Sequence, residues 1–409
     1  MSSPSPVHPA SNLHPWQVMA GGICTLILTI GIARFAYTPL LPLMQAQAGL
    51  SDAAGGWLAT ANYLGYMSGA LLAASLSSLK LKFKLYRAGV LLALVSTFWM
   101  AQTQDFAIWA ALRYVAGLSA AAGMLLASGL VLNWLMRHGH RAELGIHFSG
   151  IGLGIIVSGV VVMALNRLNL DWAAQWQVFG ALGLLLAVPA WAWVPPPAIT
   201  STATASAVAG PASASAPAAP PAPPAAWMRL MLAMYFCAGF GFVISATFTV
   251  AIAAKQSALA HTGGLAWVMV GLAAVPAVLA WDRIARRVGD LPALLAAFVM
   301  QTASVLLPAF SDLPAMFLAA ALLYGGSFIG IVSLTLALVG RAFPANPAKA
   351  MARLTLSYGV AQVLAPALAG QMAQASGSYR GALLLTAVVM VAGIGLLVAL
   401  LRREAAAQG

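Results

Sequence analysis

Long apolar runs, separated by short polar or Pro/Gly-rich breaks, recur from one end of the chain to the other. A helix that crosses about 30 Å of hydrocarbon needs roughly 20 apolar residues. Twelve runs approach or exceed that length: 17–38, 54–78, 88–103, 107–135, 144–164, 174–194, 228–253, 263–281, 291–310, 313–340, 352–374 and 380–401. The run at 88–103 is the shortest. Apolar residues within the runs do not alternate with period two, so a barrel is not indicated. Backbone groups in lipid must be paired inside their own segment, so the runs predict helices.

Composition agrees with this pattern. The 409 residues are 62% hydrophobic and only 7% charged, against about 25% charged in a soluble domain. Too few charges remain for a water-facing surface. A soluble enzyme, a nucleic-acid protein and a disordered scaffold are all excluded on that ground. The net charge of +12 raises nucleic acid again, and the positions of the charges answer it. If the N-terminus is cytoplasmic, Lys80, Lys82, Lys84, Arg87, Arg137, Arg141, Arg229, Arg283, Arg286, Arg287, Arg341, Lys349, Arg353, Arg402 and Arg403 fall on the inner side. Only Arg167, Lys255 and Arg380 fall on the outer side. The positive-inside rule then places both termini in the cytoplasm of a multi-pass inner-membrane protein. Lipid head groups, not nucleic acid, are the natural neighbours of the basic loops. Residues 1–15 carry no Lys or Arg, so no cleaved signal peptide is expected.

Residues 195–226, PPPAITSTATASAVAGPASASAPAAPPAPPAA, form a Pro/Ala/Ser tether with no core-forming pattern. The expected organisation is a tail (1–16), a six-helix bundle (17–194), the cytoplasmic linker (195–226), a second six-helix bundle (227–401) and a short tail (402–409). The halves resemble each other weakly. Ile30-Gly31-Ile32-Ala33-Arg34-Phe35-Ala36 aligns with Phe240-Gly241-Phe242-Val243-Ile244-Ser245-Ala246, and Ala111-Leu112-Arg113-Tyr114 with Ala321-Leu322-Leu323-Tyr324. Six plus six spans around a central tether suggest a parallel duplication, the plan of a two-bundle transporter that rocks about its midplane.

Two short motifs carry a family resemblance. Asp282-Arg283-Ile284-Ala285-Arg286-Arg287, between the eighth and ninth spans, resembles the D-R-x-G-R-R inner-loop motif of the major facilitator superfamily, with Ala285 in the glycine position. Arg113-Tyr114-Val115-Ala116-Gly117 is similar to the superfamily's R-x-x-x-G pattern in the fourth span. GIARFAYTPLLPLM (31–44), ANYLGYMSGAL (61–71) and GFGFVISATF (239–248) resemble the YbfB/YjiJ-type subfamily. The loop KLKFKLYR (80–87) departs from the superfamily pattern by lacking its Asp. The resemblance implies an all-α fold of twelve transmembrane helices in two bundles, acting as a monomeric secondary transporter by alternating access. It also implies that Asp282, Arg283, Arg286 and Arg287 gate the inner side.

Two arginines lie inside apolar runs, where each costs roughly 2.5–3.5 kcal/mol on insertion scales. Arg34 precedes Pro42 by eight residues and Arg113 follows Asp105 by eight. At 1.5 Å per residue both sit roughly 12 Å below the outer surface. The acids are Asp52, Asp105, Glu143, Asp171, Asp282, Asp290, Asp312 and Glu404, all in loops or near span ends. Neither arginine has a carboxylate at its depth. A planar guanidinium pairs bidentately with carboxylate or phosphate. The superfamily lines its central cavity with spans 1, 4, 7 and 10, so the resemblance brings both arginines to the transport path. Arg34 and Arg113 are therefore candidate anchors for the anionic group of a small organic substrate. The alternative is that they cap carbonyls and hold the first span against the fourth. Tyr37 and Thr38 share the face of Arg34 at i+3 and i+4, and Tyr324 lies on the opposite wall. Asn62, Tyr66 and Gly69 form an i, i+4, i+7 stripe that reads as helix packing. The glycines from Gly145 to Gly159 let helix backbones approach closely, and the resemblance, which puts the fifth span at the seam between halves, makes them a sliding surface there.

His147 and Glu143, four residues apart at the inner end of the fifth span, are the candidate proton-coupling pair, with a helix-end salt bridge as the alternative. No cofactor or metal site is expected. The histidines form no same-face H-x-x-x-H pair, and Cys24 and Cys237 stand alone in apolar runs. Gly150, Gly152 and Gly154 follow no strand, so they make no nucleotide loop. An enzyme is not expected. The rivals to a small-solute carrier are a drug or metabolite exporter of the same fold and a transporter-like sensor signalling through the tether.

Overall fold

The structure, a computed structural model, describes residues 13–140, 144–197, 223–344 and 346–408. The described residues are helical with no strand. Most of the expected linker, most of the N-terminal tail, and Glu143 lie outside them.

In chain order the helices are α1 (Pro15–Leu26), α2 (Tyr37–Ala48), α3 (Asp52–Ser75), α4 (Leu79–Trp99), α5 (Phe106–Ala121), α6 (Ser128–Arg137), α7 (Gly145–Arg167), α8 (Trp172–Trp193), α9 (Ala225–Ala254), α10 (Gly263–Val288), α11 (Asp290–Phe310), α12 (Pro314–Ala342), α13 (Pro347–Ser376) and α14 (Arg380–Gln408). A π-helical stretch at Ile27–Ile32 links α1 towards α2, and another at Ala122–Ala127 joins α5 to α6. Among the described residues ten rods are long and apolar enough to cross a membrane. Among the expected spans, α3 and α13 fall outside that group. Both carry polar residues on faces turned inward, such as Asn62 on α3 and Gln362 on α13, each buried. They pack against each other across the molecule.

Local chemistry sets the helix ends. Asp105 and Asp171 are N-caps, accepting from the amides of Ile108 (2.9 Å) and Ala174 (2.7 Å). Gly289, at φ +92°, takes a backbone that a Cβ would strain and separates α10 from α11. The Asp282–Arg287 motif, expected in a turn, therefore rides the last turns of α10. The basic run 80–87, expected in a loop, is also helical: Ser78 caps α4, and Arg87 stacks between the rings of Phe83 and Trp191 (4.6 and 4.5 Å).

Glycine decides how closely the rods approach. On α7, Gly145, Gly152 and Gly159 recur every seven residues and face α10. A Cβ at Gly152 would lie 2.7 Å from the Val275 amide. Gly150 and Gly154 on the same helix face the α1 side, and a Cβ at Gly154 would lie 2.6 Å from the Gly31 Cα. A helix with two small-residue stripes brings backbones together on two sides at once. The asparagine–glycine stripe on α3 does the same against α5: Asn62 Nδ2 donates to the Arg113 carbonyl at 2.9 Å. Large apolar side chains such as Leu185 (71% exposed) and Val188 (67%) face outward, as a lipid-facing surface requires.

Candidate functional site

The site begins with a break in the first rod. Pro39 supplies no N–H to the carbonyl of Phe35, and its ring crowds that carbonyl. The chain turns through 33–36 before α2 resumes the helix. Thr38 N–H donates to the Phe35 carbonyl (3.1 Å) instead of to Arg34 O, and the carbonyls of Ala33 and Arg34 are left for another donor. Arg113 fills the gap: Nη1 donates to Ala33 O (2.8 Å) and Nη2 to Arg34 O (3.0 Å). Its guanidinium stacks over the ring of Tyr37 (4.5 Å), whose hydroxyl donates to Gly55 O (2.9 Å). Arg113 is 2% exposed. The two arginines thus lie at one level, as the sequence suggests, but Arg113 is committed to the backbone beside Arg34.

Arg34 is different. It is 7% exposed, and while both arginines leave a buried Nε unpaired, Arg34 leaves its terminal nitrogens unpaired as well. Among the described residues no carboxylate, carbonyl or hydroxyl accepts from its guanidinium. Instead the group lies against the rings of Tyr63 (4.6 Å), Tyr66 (4.7 Å) and Phe35 (5.3 Å). Beyond Tyr63 the ring system crosses to the C-terminal helices. Phe242 meets Tyr63 edge-on at 6.3 Å and packs with Phe328 (5.4 Å), Tyr358 (6.0 Å) and Tyr324 (6.4 Å). The Tyr324 hydroxyl donates to Phe242 O (2.9 Å), so the candidate on the opposite wall orients Phe242 and leaves no free O–H. Cation–π contacts supply roughly 0.5–2 kcal/mol. They leave the N–H donors of a buried guanidinium unused, and an unsatisfied charged donor costs more than that.

The seam between the N-terminal helices and the C-terminal helices is closed at one end. Asp52 Oδ2 pairs with Lys255 Nζ at 2.5 Å, while Oδ1 accepts from Gln45 Nε2 (2.8 Å) and the Tyr379 hydroxyl (3.1 Å). Burial, with the Asp52 carboxylate beside it, raises the Tyr379 phenol well above its ordinary range, so it stays a donor. Thr38 Oγ1 donates to Ala246 O (2.5 Å) and Thr60 Oγ1 to Val363 O (2.9 Å). Gly56 abuts α13: a Cβ there would lie 2.4 Å from Pro366 O. Sequence reasoning passed over this cluster. An acid following a helix cap and a lone lysine on the sparsely basic side were its only signals, and neither shows pairing across 203 residues.

The far end is arranged otherwise. Asp282 pairs with Arg286 on the same helix, and Arg341 Nη2 with Asp290 Oδ2 at 2.6 Å, both within the C-terminal helices. A cleft of about 820 Å³ opens there, lined by Gly145, Ile146, Leu279, Asp282, Arg283 and Arg341 among others. His147 is fully buried: Nε2 lies 2.9 Å from Ser128 Oγ, and Nδ1 has no partner. Glu143, its expected partner, lies outside the described residues. Among the described residues no group of three or more His, Cys, Asp or Glu is placed to hold a metal.

Three comparisons bear on this arrangement. The family model described as "Uncharacterised MFS-type transporter YbfB" matches residues 26–398. A curated relative, the "Uncharacterized MFS-type transporter YceJ" of Bacillus subtilis (strain 168), is 34% identical over 97 residues, spanning 24% of this chain and 25% of the relative. Crystal structures of the nucleoside transporter NupG match in fold. A point mutant of NupG gives a TM-score of 0.73 at 13% identity, covering 94% of this chain and 99% of that one. The other NupG structure gives 0.71 at 14% identity, covering 95% and 98%.

Proposed function

Because the chain belongs to the YbfB-type family of MFS-type transporters, we propose that it is a secondary transporter carrying a small organic anion across the inner membrane by alternating access. In this reading twelve helices form two bundles, 17–194 and 227–401, joined by the cytoplasmic linker 195–226. The lopsided Lys/Arg distribution supports cytoplasmic termini and makes the Asp282 end the cytoplasmic one. Contacts across the seam at the Asp52 end, against a cleft at the Asp282 end, support a conformation closed to the outside.

One observation carries the anionic assignment: the buried Arg34 guanidinium has no acceptor among the described residues and lies against Tyr63, whose ring meets Phe242 of the other bundle. A carboxylate on the substrate supplies the missing acceptors bidentately. NupG shares the fold at 13% identity, and the nucleoside of its name is uncharged, so such a substrate would leave the Arg34 charge uncompensated. Arg113 acts as a positioning residue that holds the broken first rod, with Tyr37 beneath it. Asp282, Arg283, Arg286 and Arg287 close the cytoplasmic side when the bundles rock back. His147, with Glu143, is the coupling pair, and protonation of the buried imidazole is its working step.

The test is uptake of radiolabelled benzoate and lactate by liposomes containing the purified chain. Uptake of at least one, lost in Arg34→Ala and Arg34→Lys proteins of normal abundance, supports the reading. Full uptake by Arg34→Ala overturns the anchor. Arg113→Lys keeps the charge but not the fork that caps two carbonyls. It should lower thermal stability by about 1–3 kcal/mol while leaving uptake dependent on Arg34.

A further inference from the structure

The surroundings of Arg34 narrow the substrate further, and the narrowing rests on the anion-carrier reading above. Two features decide it: how many guanidinium forks are free, and what shape the walls present.

The free guanidinium fork is one. Arg113, the other cation at this level, donates both terminal nitrogens to the carbonyls of Ala33 and Arg34. Its Nε alone is left unpaired, whereas among the described residues Arg34 finds no acceptor for Nε or for either terminal nitrogen. Asp52 and Lys255 neutralise each other at the end of the seam. A second carboxylate on the substrate therefore meets no free pair of terminal N–H donors in a buried space, at a desolvation cost of several kcal/mol. A single carboxylate fills the one free fork.

The walls are flat and aromatic on both sides. Most of the molecule's interior is lined by Leu, Ile, Val and Ala, which serve an aliphatic ligand equally well. Around Arg34 the chain instead places Tyr63 and Tyr66 from α3 against Phe242 from α9 and Tyr358 from α13, and Tyr235 stacks with Tyr358 at 4.6 Å. Aromatic faces in offset or edge contact contribute about 0.5–1.5 kcal/mol per pair beyond the area they bury. The hydroxyls of Tyr66, Tyr235 and Tyr358 have no hydrogen-bond partner among the described residues, so polar substituents on a ring would find donors there. A carboxylate on Arg34 with its ring slid among these faces uses every feature. It displaces the cation–π contacts that now cover the guanidinium.

We propose that the seam between the two bundles binds a planar aromatic monocarboxylate, with its carboxylate on Arg34 and its ring between the α3 tyrosines and Phe242 and Tyr358.

The experiment measures binding of four probes to the purified full chain in lipid nanodiscs, by calorimetry and by melting temperature. Benzoate is planar with one charge. Cyclohexanecarboxylate has the same charge without the flat ring. Benzamide is flat and neutral, and phthalate is flat with two charges. Benzoate should bind saturably, and the other three about tenfold or more weaker, the scale that one or two aromatic contacts or one charge pair set. Tyr66→Leu and Tyr358→Leu should bring benzoate and cyclohexanecarboxylate to equal affinity, and Arg34→Gln should lower benzoate to the level of benzamide. Equal binding of benzoate and cyclohexanecarboxylate by the unaltered chain, lost in Arg34→Gln, overturns the aromatic class and leaves the anion carrier standing. Equal binding of benzoate and benzamide, unaffected by Arg34→Gln, overturns both. Tighter binding of phthalate than benzoate overturns the single-charge assignment, and no saturable benzoate binding overturns the proposal. Should Arg34→Gln fail to fold, the two tyrosine variants carry the test of ring shape and the benzamide comparison carries the test of charge.

Discussion

The two ends of the seam are built from the same residue types and behave differently. At the Asp52 end, the carboxylate reaches across to Lys255 and Tyr379, and hydroxyls of Thr38 and Thr60 donate to carbonyls on the opposite helices. At the Asp282 end, each ion pair stays within the C-terminal helices, and a cleft lies between α7 and α10. Charge alone therefore does not make a gate. A polar pair holds two bundles together only when its members sit on different bundles and are shielded from water, because an exposed pair on one helix contributes about 0.3–0.5 kcal/mol to that helix and nothing to the seam.

Overpacking the closed end should break this contrast most strongly. A side chain at Gly56 meets the Pro366 carbonyl at 2.4 Å, so Gly56→Leu forces α3 and α13 apart at a cost of about 1–3 kcal/mol. With the native cysteines replaced, Thr247→Cys next to the closed end should then react with an impermeant thiol reagent from outside, having been protected before. Continued protection in folded Gly56→Leu protein would show that the seam does not open there.

Removing the cross-seam charge should do less. Asp52 and Lys255 are 10% and 30% exposed in their side chains, between a surface pair and a buried one, so Asp52→Asn should loosen the closed end by about 1–2 kcal/mol. Labelling of Thr247→Cys should rise about tenfold, the ratio that 1.4 kcal/mol gives. Lys255→Asp combined with Asp52→Lys should recover part of the protection. A double variant no better than either single one argues that the pair does not hold the seam.

The smallest effect belongs to the other end. Asp282 and Arg286 are 57% and 63% exposed, so Asp282→Asn should leave both melting temperature and Thr247→Cys labelling within error in this conformation. Its effect should emerge only in the return step, as slower uptake. A large rise in outside labelling would contradict the difference between the two ends.

Particular residues show how much was legible beforehand. The apolar runs located the helices because a backbone in lipid has few alternatives, and the run of 88–103 fell short only because helix α4 starts earlier, at Leu79, under the Ser78 cap. Arg34 and Arg113 were visible as misplaced charges, and their common depth followed from simple rise per residue. Their different fates were not visible. The turn through 33–36 leaves two carbonyls unfilled, but which arginine fills them depends on how α5 lies against that break. The rings of Tyr235, Phe328 and Tyr358 carried no signal at all, since aromatic residues inside an apolar run are ordinary.

By itself the sequence determined that this chain crosses a membrane many times, where its helices lie, and that two guanidinium groups sit where lipid cannot satisfy them. Those properties depend on solvation and on spacing along one helix, and both are local. The tertiary structure alone decided that Arg113 is spent on a neighbouring backbone while Arg34 is left free, that rings from distant segments gather about it, and that Asp52 meets Lys255 at one end of the seam. Such pairings depend on glycine-controlled approach between rods far apart in sequence, and composition carries no record of which rod meets which.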